Sequence, residues 1–157
     1  MSDVFTERTQ LVPKNQWICD HCGDLIESID RGWLEWYHEV GTYDNHTETG
    51  FRIVHDHQRC MYNQRSMFAQ GKSVSDMHLV DFTGDNGLVS LLSLIETKRI
   101  KDIEEFSEII RRIHVSYYEE ARQYWTQAEE DGFFDGANEV WPYLPETSLQ
   151  IISRYSR

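Results

Sequence analysis

Apolar positions in the second half of the chain recur at helical spacing. Leu88, Leu91, Leu92 and Ile95 stand at i, i+3, i+4 and i+7, and Val89 and Leu94 widen the stripe. A face that broad predicts a helix that is almost fully buried. A second helix is predicted over 102–114, with Ile103, Phe106, Ile110 and Ile113 on one side. A third, over 116–131, aligns Tyr117, Ala121, Tyr124 and Ala128, with Tyr118 and Trp125 beside them, and the Asp131-Gly132 pair ends it. Residues 133–145 read as an aromatic-rich loop, and 146–155 as a last helix built on Leu149, Ile152 and Tyr155.

The first half is patterned differently. Residues 32–38 are rich in aromatics and 50–55 alternate with β-branched positions, so both read as strands, joined through the polar stretch 41–49. A helix is predicted from about Asp56, a plausible N-cap, to about Gln70. Gly71 and Lys72 close this segment, and 75–85 read as a connector ending in the turn cluster 83–87. The predicted class is α+β: an N-terminal arm over 1–16, a strand-bearing module over 17–72, and a helical lobe of three to four helices over 73–157. The lobe is expected to pack on the module, because no Pro/Ser/Gly-rich linker separates them.

Composition narrows the function classes. The 157 residues carry 27 acidic against 15 basic side chains, a formal net charge of -12, which disfavours a diffuse electrostatic grip on nucleic acid. Aromatic residues make up 13% of the chain, enough to argue against wholesale disorder. No run approaches the ~18 apolar residues of a membrane span, and the polar first 15 residues lack the order of a signal peptide. A cytoplasmic protein with no membrane association is the expectation.

The chain has three cysteines, an odd number that suits a disulfide framework poorly. Cys19-Asp20-His21-Cys22-Gly23 is a C-x-x-C followed by glycine, and His57-Gln58-Arg59-Cys60 is an H-x-x-C, with 34 residues between the two pairs. Three thiolates and one imidazole form a closed tetrahedral zinc set with no open position. A tight turn aims the first pair at one point, and Gly23 suits its positive φ. His57 and Cys60, at i and i+3, share a face if a helix opens at Asp56. His55 and His57 flank Asp56, so a shift of two residues exchanges them; His57 is preferred for its spacing to Cys60. A redox C-x-x-C would ordinarily open a helix after a strand, and it leaves Cys60 unexplained.

The order of a turn with two ligands, a hairpin, and a helix bearing two more resembles the treble-clef class of zinc fingers over about residues 17–70. That resemblance implies Cys19, Cys22, His57 and Cys60 as ligands of one structural Zn2+ per chain. It implies no single activity, since the class serves in nucleic-acid binding, protein interaction and nuclease folds alike.

Elsewhere the bland reading is preferred. Glu104, Glu105, Glu108, Glu119 and Glu120 are expected on solvated helix faces, and nothing pairs them with a cleft. Lys98, Arg99 and Lys101, with Arg111 and Arg112, suggest a helix-turn-helix only weakly, because Glu119 and Glu120 would repel phosphate. Phe133, Phe134, Trp141 and Tyr143 suit either an exposed anchor or a cover over the helical core. The expected function is a zinc-stabilised adaptor or regulator that binds another protein. One alternative is nucleic-acid binding through Arg52, Arg59, Arg65 and Lys72. Another is an HNH-like metal-dependent nuclease with His55 as base and Asp56 as metal ligand, although residues 61–73 lack the further histidine it needs.

Overall fold

The computed structural model describes residues 10–39 and 46–156. The predicted 1–16 arm thus lies mostly outside the described residues, as does much of the 41–49 connector. Among the described residues the fold is mixed α+β, with two small antiparallel sheets and six α-helices. Strands β1 (Trp17–Ile18) and β2 (Leu25–Ile26) form the first sheet. The second has the order β4-β3-β5, from β3 (Gly32–Glu39), β4 (Glu48–His55) and β5 (Lys72–His78).

The β3–β4 ladder shifts by one residue between Glu35 and Tyr37. Gly50 sits at this bulge with φ +71, and a Cβ there would lie 2.2 Å from the Tyr37 ring. Only glycine satisfies both constraints.

Helix α1 (Gln64–Ala69) begins later than the sequence suggests. Its N-cap is Asn63, whose Oδ1 accepts from Ser66 N–H at 2.8 Å, and not Asp56. Strand β4 continues through His55, and the chain then makes a single turn in which the N–H groups of Cys60 and Met61 donate to His57 O at 2.8 and 3.1 Å. Arg52 Nη2 holds Cys60 O at 3.0 Å and the Glu35 carboxylate holds Tyr62 N–H at 2.9 Å. These sheet contacts fix 56–62 as a turn.

Strand β5 replaces part of the expected connector and pairs with β3 along its whole length, with the Trp33 and His78 rings stacked at 4.1 Å. Helix α2 (Gly84–Glu96) is not the buried helix its stripe predicts: only Gly87 and Leu91 are buried, while Leu88, Val89 and Leu92 are 39%, 66% and 46% exposed. It packs on the outside, against the 3-10 turn Leu79–Phe82 and α3 (Ile103–His114), so one side of the stripe faces solvent. The predicted third helix is two, α4 (Tyr118–Arg122) and α5 (Trp125–Glu130), followed after the loop by α6 (Pro145–Tyr155).

One apolar core joins Trp17, Ile26, Leu34, Trp36 and Ile53 to Leu91, Phe106 and Ile113. A smaller cluster of Ala121, Tyr124 and Ile151 is covered by half-buried Trp125, Phe133 and Phe134. Phe133 stacks on Trp141 at 5.5 Å and Trp125 on Tyr143 at 5.6 Å, so the loop aromatics fold over the helices.

Candidate metal centre

The C-x-x-C turn is shaped by its backbone. Cys19 N–H donates to Asp24 O at 2.9 Å and Gly23 N–H to Cys19 O at 3.0 Å, with Gly23 at φ +78. Asp20 straps this turn to β4: its N–H donates to Ile53 O at 2.8 Å, and its Oδ2 accepts from Ile53 N–H at 2.7 Å. His55, two residues farther along the strand, is thereby brought beside the cysteines.

Cys19, Cys22, His55 and Cys60 offer four donor atoms that all lie within 4.8 Å of one another. His55 Nδ1 is 3.4 Å from Cys22 Sγ and 3.8 Å from Cys60 Sγ. Ligands about 2.0–2.3 Å from a tetrahedral zinc would be spaced roughly 3.5–4 Å apart, so the group can close on one ion with small adjustments. His55 Nε2 lies 3.0 Å from Leu25 O, which fixes Nδ1 as the nitrogen turned to the thiols.

The histidine of this group differs from the expected one. His57 is exposed, and its Nδ1 accepts from Arg59 N–H at 3.1 Å, away from the thiols. His57 and Cys60 share a face only if a helix opens at Asp56; with β4 running to His55, the strand end and the following turn supply the second pair of donors. The alternating run Phe51-Arg52-Ile53-Val54-His55, read as a strand to residue 55, was the available signal.

Electrostatics set Cys19 and Cys60 apart. Burial is the largest influence on Cys19 and raises its pKa, but hydrogen bonds from the Cys22, His55 and His21 backbones outweigh it and bring the thiol down to about 7. Burial and the neighbouring Cys19 charge push Cys60 up to about 12. Burial opposes the protonated His55 ring, yet the Leu25 carbonyl and Cys19 raise its pKa. Without a cation, one thiolate therefore suppresses ionisation of the next. A bound divalent ion reverses that penalty, and this chemistry fits the donor set.

A buried ion-pair network anchors the turn to the helices. Arg112, 3% exposed, donates to Asp20 Oδ2 at 2.6 Å, to Glu119 at 2.7 and 2.8 Å, and to Ile18 O at 3.0 Å. Trp17 Nε1 returns a bond to Arg112 O at 2.9 Å, and Ile18 N–H donates to Glu119 Oε1 at 3.1 Å. Burial alone would raise the Glu119 pKa, but the Arg112 charge and hydrogen bonds lower it overall.

Glu119 and Glu120 are thus buried, not solvated as the helical pattern suggested. Glu120 accepts from Leu11 N–H and Glu105 from Phe51 N–H, while Glu108 holds Tyr118 Oη, Arg111 and Arg122. The remaining member of that acidic set, Glu104, lies exposed in the first turn of α3.

A cleft of about 750 Å³ opens beside the thiols, lined by His21, Arg31 and Arg59 but also by Asp24, Glu27 and Asp56. Its charge is mixed. No described helix is long and apolar enough to cross a membrane. Comparison with family models, with curated proteins and with solved structures finds no match to this chain.

Proposed function

We propose that the chain is a zinc-stabilised interaction protein of the treble-clef kind, an adaptor or regulator whose partner is another protein. The observation that carries this reading is the closed Cys3His group, which offers four side-chain donors around one point and would leave a bound zinc no open position for water or substrate. The Asp20–Arg112–Glu119 network behind it supports a structural role, since it ties the metal turn to the helical core. The order of knuckle, hairpin, turn and short helix supports the treble-clef assignment, with two ligands from the knuckle and two around the end of β4.

The nuclease alternative gives His55 the role of base. Both its ring nitrogens have neighbours, the thiols at Nδ1 and the Leu25 carbonyl at Nε2, which favours the adaptor reading. The mixed lining of the cleft likewise offers phosphate no concentrated basic surface.

Affinity capture by the metal-loaded full chain, with cross-linking and mass spectrometry, tests the reading beside a DNA and RNA titration at low ionic strength. Saturable capture of a protein without nucleic-acid binding is expected. Salt-dependent binding of nucleic acid without any protein partner would overturn it.

A further inference from the structure

The two edges of the three-stranded sheet are finished differently. Along β4 the outward backbone is occupied: Glu48 N–H donates to Arg99 O at 2.7 Å, Lys101 N–H to Glu48 O at 2.9 Å, Phe51 N–H to Glu105 Oε1 at 2.9 Å, and Ile53 N–H to Asp20 Oδ2 at 2.7 Å. Strand β5 forms the opposite edge. Among the described residues the backbone of Lys72–Met77 makes no hydrogen bond beyond the ladder to β3, and His78 caps the 3-10 turn that follows. That ladder runs through all seven residues without a register shift, and the strand contains no proline. Free edges are ordinarily blunted by bulges, proline or charge, because a row of unpaired N–H and C=O groups templates another strand.

The residues along this edge are self-complementary. The segment Lys72-Ser73-Val74-Ser75-Asp76, set antiparallel to itself about Val74, places Lys72 opposite Asp76, Ser73 opposite Ser75, and Val74 opposite Val74. Opposed residues in an antiparallel pair share a face, so two Lys–Asp pairs would flank a central valine contact. Within one chain Asp76 stands opposite Glu35 in the β3–β5 register, a like-sign pairing that a second lysine offsets. Apolar surface flanks the strand: α1, which packs on β5, carries Phe68 at 68% exposure, and Met77 is 41% exposed.

We propose that β5 pairs antiparallel with β5 of a second copy, about a two-fold axis at Val74, joining two three-stranded sheets into one of six strands. The interface is isologous, so each Lys72–Asp76 pair occurs twice.

Sedimentation velocity on the metal-loaded full chain over a wide concentration range tests this. A monomer–dimer equilibrium is expected, with amide exchange of Val74 and Asp76, whose N–H groups point away from β3, slowing as dimer forms. Lys72→Asp alone, or Asp76→Lys alone, sets like charges opposite each other twice and should weaken the dimer about ten-fold or more. The double variant Lys72→Asp/Asp76→Lys restores the complementarity and should return the dimer to within about three-fold of the original affinity. Circular dichroism and metal content verify that each variant is folded.

A chain that stays monomeric at every concentration overturns the proposal, including one whose β5 instead captures an extended segment of another protein. So does a dimer indifferent to both single substitutions, or a folded double variant that remains as weak as the singles. A dimer lost on Leu92→Glu but kept in Lys72→Asp would place the interface on α2 and overturn it equally.

Discussion

At the scale of single residues, Arg112 joins Ile18 of β1 and Asp20 of the Cys19–Gly23 turn to Glu119 of α4, more than 90 positions along the chain. Removing it leaves the buried Glu119 carboxylate with only the longer ion pair to Arg122, at 3.3 Å. Arg112→Ala is therefore expected to lower the unfolding free energy by about 3–5 kcal/mol in urea titrations. Lys at this position cannot reproduce the forked contacts and should recover only part of the loss. The same pair sets a pH dependence. Because the folded Glu119 pKa is depressed, its stabilisation is complete above the ordinary carboxylate range and is lost as pH falls through the folded value. Glu119→Gln should flatten the acid limb of the stability profile. The cysteines were legible from spacing alone, whereas the histidine depended on where β4 ends. The Arg112 network was not legible, since nothing local links positions 20, 112 and 119. His55→Ala is expected to weaken metal binding by more than about 100-fold in chelator competition, and His57→Ala to leave it nearly unchanged.

At the scale of elements, local chemistry overrode periodicity in both directions. The β3/β4 hairpin and α3 were readable because alternation, aromatic density and the helical stripe agree with the packing; the structure adds that Asp102 caps α3, accepting from the N–H groups of Glu104 and Glu105. Strand β5 was not readable, as Lys72–His78 mixes polar and apolar positions and draws its place from β3. The apolar stripe of α2 correctly marked a helix, but not how much of it the core would cover. Leu92→Gln should therefore change monomer stability by no more than about 0.5 kcal/mol, as at other exposed positions. Gly50→Ala should cost about 1–3 kcal/mol, through the positive φ and the Tyr37 ring, and thermal unfolding reads the difference.

At the scale of the whole molecule, Cys19 and Cys60 belong to the same buried cluster as Phe106, Ile109 and Ile113. Loss of a metal held by these thiols would then be coupled to unfolding. A structural zinc contributes on the order of 10–16 kcal/mol, against a net domain stability of roughly 5–15 kcal/mol. The metal-free chain should consequently be largely unfolded, and the loaded chain should melt in one transition shared by far-UV and near-UV signals. Among the described residues, three of the chain's 27 acidic side chains lie buried: Glu35 and Glu119 are ion-paired with Arg52 and Arg112, and Glu120 accepts from Leu11 N–H.

On the function proposed, Cys19, Cys22, His55 and Cys60 would hold one zinc ion that the fold requires. Native mass spectrometry of the full chain, before and after a strong chelator, tests it most directly. One zinc per chain is expected on the compact protein, with its removal accompanied by a shift to the higher charge states of an unfolded chain. A compact, metal-free protein, or a His55→Ala variant that retains its zinc undiminished, would contradict it.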